Sequence, residues 1–144
     1  SSGSGWPTYR HDPERSGATE SAVGAELAIA WRAPLGTEAS APVVADGKVL
    51  VAGVDAHRAC ALDAESGRLV WRYGTEGQVT SSPALVGRRA YFGSVDGGVY
   101  CLEAETGNLL WRYQTDGPVT SSPAATEETV YVGSFDRYLY ALPG

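Results

Sequence analysis

Short turns of this sequence carry side chains that could bind a ligand or transfer a proton. Asp96 and Asp136 occupy matching Gly-Ser-x-Asp turns, and Arg137 follows the second of them. Asp55 occupies a related turn with His57 close by. An aspartate that caps its own turn and a histidine exposed on a loop need no ligand. A bound ligand, or His57 acting as a general base, is the alternative that the pattern leaves open.

Two serine pairs invite the hypothesis of a nucleophile. Ser81 and Ser82 precede a proline, and Ser121 and Ser122 precede another in an identical Val-Thr-Ser-Ser-Pro-Ala segment. No Gly-x-Ser-x-Gly motif, which marks the nucleophile of many hydrolases, surrounds either pair. Because the pairs repeat, we interpret them as lining a shared central channel.

Composition excludes several classes of function. The net charge is −6 and the arginines are scattered, so no basic patch predicts nucleic-acid binding. No apolar run approaches the ~20 residues of a membrane helix. Cys60 and Cys101 lack CxxC or zinc spacing and are interpreted as buried small side chains, with no metal or disulfide. The sequence contains no methionine, so we expect a processed or excised segment, with residues 1–5 a linker or tag remnant.

An internal repeat organises the rest of the sequence. Trp31, Trp71 and Trp111 are each followed by arginine and lie 40 residues apart. Aligning 71–104 with 111–144 gives 17 identities in 34 positions, whereas the copy at 31–70 is more divergent. A repeat of this length indicates one small structural unit per copy.

Each repeat alternates with a period of two, which predicts short antiparallel strands joined by turns. Val-Asp-Gly-Gly at 95–98 is typical of a hairpin turn, and a second turn follows at 104–108. Four strands in 40 residues predict an all-β fold, with one β-propeller blade per repeat. The predicted strands are 81–86, 89–94, 99–103 and 109–115 in the second copy and 121–126, 129–134 and 138–142 in the third.

The segments "ALDAESGRLVW" and "CLEAETGNLLW" resemble the tryptophan-docking motif of pyrroloquinoline quinone (PQQ)-like β-propeller repeat proteins. "GSVDGGVYCL" and "GSFDRYLYAL" fit the preceding hairpin, and "WPTYRHDPERSGAT" is similar to the bacterial lead-in. The resemblance implies that each tryptophan stacks between blades against the small residue opening the motif and the motif glycine. The docking residues that it implies are Trp31, Trp71, Trp111, Gly67, Gly107, Ala61 and Cys101.

Strand counting gives three blades' worth of strands, because the third copy has three strands and an additional strand is predicted at 26–36. Propellers typically have 4–8 blades, so three blades do not close a ring. We therefore expect two chains to form a six-bladed homodimer, in which 26–36 of one chain completes the last blade of the other. The expected segments are a lead-in at 6–25, the closing strand at 26–36, and blades at 37–76, 77–116 and 117–144 within the propeller segment 26–144.

The sequence favours a non-enzymatic scaffold or binding module. PQQ-dependent dehydrogenases that share the repeat hold a quinone and calcium, as the resemblance implies, but their ligands cannot be matched here residue by residue. A quinoprotein fragment using PQQ and calcium, and a designed self-assembling propeller without a biological ligand, are the alternatives. The resemblance implies a periplasmic or extracytoplasmic location. A protein or small-ligand partner is expected at the loops carrying Asp55, His57, Asp96, Asp136, Arg137, Glu76 and Asp116.

Overall fold

The computed structural model describes residues 28–144, which form three separate antiparallel β-sheets. The first sheet, blade 1, has the order β1-β2-β3-β4, and the second, blade 2, has the order β5-β6-β7-β8. The third sheet, blade 3, has the order β11-β10-β9, so β11 is an edge strand. The strands are β1 Val43–Ala45, β2 Lys48–Gly53, β3 Arg58–Asp63, β4 Leu69–Gly74, β5 Ala84–Val86, β6 Arg89–Gly93, β7 Gly98–Glu103, β8 Leu109–Gln114, β9 Ala124–Ala125, β10 Thr129–Gly133 and β11 Leu139–Pro143.

The predicted all-β fold with one blade per repeat is confirmed. The first strand of each later blade is shorter than predicted and begins only after the Ser-Ser-Pro segment. Pro83 and Pro123 have no N–H to donate to a neighbouring strand, which explains the late start.

The predicted strand at 26–36 differs from the structure. Residues 26 and 27 lie outside the described residues, and residues 28–36 form no strand in the single chain. Residues from Trp31 to Gly36 nevertheless alternate between half-buried and exposed, as in a strand lying on a surface. The segment lies against blade 1, where Arg58 donates to the Leu35 carbonyl at 2.8 Å.

The core consists of two layers of side chains, one between each pair of neighbouring blades. Directly opposed residues of an antiparallel sheet point to the same face. In blade 2, the face toward blade 3 includes Tyr91 and Cys101, whereas the face toward blade 1 includes Phe92 and Tyr100. Each blade thus has a forward face, toward the next blade in sequence, and a rear face, toward the preceding one.

Candidate functional site

Tryptophan and glycine meet at each blade junction. Trp71, on the forward face of blade 1, is buried, and its indole Nε1 donates to the Ala104 carbonyl at 2.8 Å. A Cβ added at Gly107 would lie 2.7 Å from the Trp71 ring, so the ring covers this glycine. Each such glycine therefore belongs to the blade that follows the tryptophan.

Trp31 repeats this geometry on blade 1. Its Nε1 donates to the Ala64 carbonyl at 2.9 Å, and a Cβ added at Gly67 would lie 2.5 Å from its ring. The segment 28–36 consequently occupies the position that the outer strand of a preceding blade would have. Because Trp31 is only half-buried, this junction is less enclosed than that of Trp71.

Trp111 lies on the forward face of blade 2, half-buried beside Tyr91 at 6.1 Å between ring centroids. Ala61 and Cys101 lie opposite Trp71 and Trp111 in the strand register, and both are buried. Small side chains at these positions leave room for the indole rings. Burial raises the pKa of the Cys101 thiol to about 11, so the group is neutral and packs as an apolar residue.

The loops expected to bind a partner lie together along one edge of the sheets, which we name the turn edge. It consists of the β2–β3, β6–β7 and β10–β11 turns with the interblade linkers 75–78 and 115–118. The backbone N–H of Glu76 donates to Asp96, and that of Asp116 donates to Asp136, both at 3.2 Å. These two aspartates therefore fasten each linker to the turn of the following blade.

Asp55 has a different partner, because Gln78 Nε2 donates to its Oδ1 at 3.1 Å. His57 and Arg137 are exposed on the turn edge, with backbone φ of +51° and +77°. Gly97 occupies the position equivalent to Arg137 with φ of +87°. The turns therefore require left-handed backbone whatever side chain they carry.

Sequence reasoning missed a cluster of three side chains, Asp96, Tyr100 and Arg112, which we name the Asp-Tyr-Arg cluster. The Tyr100 hydroxyl donates to Asp96 Oδ2 at 2.7 Å, and Arg112 Nη2 lies 3.6 Å from Asp96 Oδ1. The guanidinium also lies 5.2 Å from the centre of the Tyr100 ring. Recurrence of Asp-x-x-x-Tyr at 96–100 and 136–140 was the available signal.

Opposing effects set the charge state of this cluster. Burial alone would raise the pKa of Asp96, but hydrogen bonds from Tyr100 and the Gly98 N–H, with the Arg112 charge, hold that pKa below its ordinary value. Burial and the bond to Asp96 raise the pKa of Tyr100 to about 12. The cluster is therefore a fixed carboxylate, phenol and guanidinium at neutral pH, suited to holding structure rather than to proton transfer.

The serine pairs are brought close together. Ser81 and Ser82 are buried, Ser122 is half-buried and Ser121 is exposed. The Ser82 N–H donates to Ser122 Oγ at 3.1 Å, so the strand starts of blades 2 and 3 touch. Serines at the innermost strands fit the channel-lining interpretation, which stays a prediction.

Residues 28–144 contain no group of three or more His, Cys, Asp or Glu side chains placed to hold a metal ion. Both cysteines are free and lie in different blades, within β3 and β7. The carboxylates of the described residues therefore do not form a cluster of three of the kind that often binds calcium. None of the described residues belongs to a helix that is long and apolar enough to cross a membrane.

Blade 3 exposes apolar side chains on its forward face at positions that are buried in blade 2. Tyr131 is 44% exposed and Leu139 is 75% exposed, whereas the residues 40 positions earlier, Tyr91 and Val99, are 1% and 0% exposed. Phe135 adds a further exposed ring. The forward face of blade 3 thus carries apolar side chains like those of a blade junction, but no other blade of residues 28–144 covers it.

Comparison with protein families decides the relationship. Residues 18–143 match the family model described as outer membrane protein assembly factor BamB. The chain belongs to this family. It is a PQQ-type β-propeller family, and the resemblance stated from the sequence is confirmed. The comparison with curated protein sequences gave no match.

Solved propellers agree with this assignment. BamB from Moraxella catarrhalis is 24% identical over 71% of this chain and 32% of that protein, with a TM-score of 0.62. A europium-containing methanol dehydrogenase (17% identity, TM-score 0.80) and a quinohemoprotein alcohol dehydrogenase from Comamonas testosteroni (24% identity, TM-score 0.77) each cover 96% of this chain. The chain covers 30% and 25% of these two, so it spans about a third or less of the three structures. At such identities the likeness shows the fold alone.

Proposed function

We propose that this chain is a non-enzymatic β-propeller scaffold or binding module that associates with a second copy of itself through the forward face of blade 3. The observation that carries the proposal is the exposure of Tyr131 and Leu139, whose counterparts Tyr91 and Val99 are buried between blades. Large apolar side chains exposed together on one sheet face are typical of an interaction site. The free edge of β11 beside it can accept a further strand.

The segment 28–36 supports a second copy as the occupant. Trp31 already lies on Gly67 as Trp71 lies on Gly107, so the segment occupies the position of an outer strand without inner strands beside it. A cavity of about 240 Å³ lies next to it, lined in part by Leu35 and Cys60. In a dimer, β11 of a second copy would pair with the segment, and the inner strands of its blade 3 would lie on the rear face of β1 and β2.

On this proposal, two chains joined head to tail give six blades, which lies within the 4–8 blades typical of closed propellers. The residues 26–36 of each chain become the outer strand of the other chain's blade 3. Each interface would then consist of two sheet faces packed together and one backbone ladder. Such an interface resembles the packed junction between blades 1 and 2, so we expect it to be stable.

Sedimentation velocity at micromolar concentration tests the proposal. We expect twice the 15.1 kDa mass of one chain. Deletion of 26–36 should give a monomer that keeps its β-sheet circular dichroism. Leu139→Asp should also abolish association, whereas Leu110→Asp, at an exposed leucine on β8, should not. A wild-type chain that stays monomeric at about 50 μM, well above the dissociation constant of a micromolar complex, would contradict the proposal.

We assign binding of any other partner to the turn edge. The acidic side chains of Asp55, Glu76 and Asp116 are exposed there, and loops positioned by a rigid scaffold commonly bind partners. The family description names outer-membrane assembly, which supports an extracytoplasmic location for this chain. Glu76→Lys and Asp116→Lys should impair partner binding and leave the dimer mass unchanged.

A quinoprotein role is the second candidate, favoured by the matched fold of the two dehydrogenases. When bound, PQQ with calcium would supply the oxidising chemistry. We expect no dye-linked oxidation of alcohols or sugars after both are added, because residues 28–144 hold no matching donor cluster. Saturable turnover with a quinone absorption spectrum would support the second candidate instead.

A further inference from the structure

Blade 3 contains two of the three members of the Asp-Tyr-Arg cluster. The Tyr140 hydroxyl donates to Asp136 Oδ2, as the Tyr100 hydroxyl does to Asp96. The bond to Asp136 and burial raise the pKa of Tyr140 to about 12, the same value as for Tyr100. The carboxylate and the phenol are therefore held in the same way in both blades.

The third member is an arginine on the outer strand. In blade 2, Arg112 lies opposite Tyr100 in the β7–β8 register, one residue after Trp111 opposite Cys101. Blade 3 has no outer strand among the described residues, and within 28–144 no arginine or lysine forms an ion pair with Asp136. Within residues 28–144 of one chain, the cluster of blade 3 thus lacks an arginine.

Arg32 occupies the sequence position that corresponds to the missing arginine. It follows Trp31 as Arg112 follows Trp111, and its side chain is exposed in the single chain. If the segment 26–36 of a second copy pairs with β11 in the β7–β8 register, Trp31 lies opposite Ala141 and Arg32 lies opposite Tyr140. The guanidinium would then reach both the Tyr140 ring and the Asp136 carboxylate.

We propose that Arg32 of a second copy completes the cluster of Asp136 and Tyr140, and that this contact fixes the register of the exchanged strand. The inference rests on the proposed self-association and names its specificity-determining residue. A slip of two residues would bring Ala30 or Pro34 opposite Tyr140, and both lack a charge. A register error therefore leaves Asp136 without its cation. This loss distinguishes the correct register from a slipped one more sharply than the apolar contacts alone would.

Blade 1 offers an internal contrast. Cys60 takes the place of the tyrosine there, and Arg72, which follows Trp71, is exposed and forms no ion pair among the described residues. An arginine after the tryptophan is therefore not sufficient for the cluster.

A charge exchange tests the pairing in the full chain. In the Arg32→Glu homodimer, the introduced carboxylate lies beside Asp136 at both interfaces. In the Asp136→Lys homodimer, the introduced ammonium lies beside Arg32 at both interfaces, so like charges meet in either case. Each variant should weaken association by about tenfold or more, since like charges placed across an interface are strongly unfavourable. In an equimolar mixture of the two variants, the introduced carboxylate of one chain meets the introduced ammonium of the other at one interface. The second interface of that mixed dimer is native, so dimers should return.

Asp136→Asn guards against a folding defect, because an amide oxygen can still accept the bonds that the turn requires. It should weaken association less than Asp136→Lys. Arg88→Glu, at an exposed arginine in the β5–β6 turn of blade 2, should leave association unchanged. A monomeric wild type would overturn the proposed function and this inference together. A dimeric wild type whose dissociation constant is unaffected by both charge reversals, or not restored by mixing them, would overturn this inference alone.

Discussion

Replacing Gly107 with alanine tests whether the contact of tryptophan with glycine holds blades 1 and 2 together. The added Cβ would lie 2.7 Å from the Trp71 ring, closer than carbon atoms pack. Gly47 provides a matched control, because its φ of +74° equals the +75° of Gly107 within a degree and no atom beyond its chain neighbours lies within 4 Å of its added Cβ. The two substitutions share backbone strain and differ in the contact with Trp71.

The expected magnitudes follow from these two terms. A non-glycine residue in left-handed backbone costs about 1–2 kcal/mol, which applies to both variants. Overpacking adds about 1–3 kcal/mol at Gly107 only. Trp71 cannot retreat without losing its bond to the Ala104 carbonyl and its burial, since only 7% of the residue is exposed. We expect Gly107→Ala to lower the free energy of unfolding by about 2–5 kcal/mol, against about 1–2 for Gly47→Ala.

Urea unfolding followed by far-ultraviolet circular dichroism measures these differences without depending on indole fluorescence. Trp71→Ala should cost about 3–5 kcal/mol by itself. In the Trp71→Ala background, Gly107→Ala should cost no more than Gly47→Ala, because the ring that the Cβ would strike is gone. The reasoning is refuted if Gly107→Ala and Gly47→Ala destabilise the wild-type chain equally.

Three further predictions concern single side chains. Thr115→Val should cost about 1–3 kcal/mol in unfolding free energy, because the buried hydroxyl donates to the Gly97 carbonyl at 2.9 Å. The more exposed Thr75→Val should cost less in the same assay, and equal losses would contradict this reasoning. Arg137→Gly should stabilise the chain by up to about 1 kcal/mol, since it relieves a φ of +77°, and a loss of stability would count against it. The pKa of Asp96 is lowered, so its contribution is complete above the unfolded pKa of about 3.9 and is lost as pH falls through the lower folded value. The difference in unfolding free energy between wild type and Asp96→Asn should therefore shrink from about pH 7 toward about pH 2, and a constant difference would exclude the carboxylate as its source.

The strands and the repeat could be predicted because each depends on local pattern. Alternating side chains and glycine turns specify a four-stranded blade within 40 residues, without reference to any other part of the chain. Which glycine a tryptophan contacts is a different kind of question. Gly67 precedes Trp71 by four residues and Gly107 follows by 36, and the repeat makes both spacings recur. The register of β3 and β4 turns Trp71 toward blade 2, and this orientation makes Gly107 the glycine that the ring contacts.

The Asp-Tyr-Arg cluster escaped prediction for a related reason. Its members lie in the β6–β7 turn, on β7 and on β8, and they meet only when the sheet register brings Tyr100 opposite Arg112. A turn-capping role accounted for Asp96 in the sequence, and it is correct as far as it goes, since the Gly98 N–H does bond to Asp96 at 2.7 Å. Its contacts with Tyr100 and Arg112 give the same carboxylate a second role, which the local sequence pattern does not indicate.

Head-to-tail association carries a further consequence for the proposed assembly. The forward face of blade 3 and the rear face of blade 1 are different surfaces, so their contact is heterologous, and such contacts either close into a ring or continue as a filament. Arg32 and Asp136 would meet identically in both cases, so the charge exchange does not distinguish them. The mass in solution distinguishes them, because a closed ring covers every forward face with a fixed number of chains. A mass that stays at two chains as concentration rises from about 1 to about 100 μM would establish the closed six-bladed ring, whereas steady growth would show that the blades join without closing.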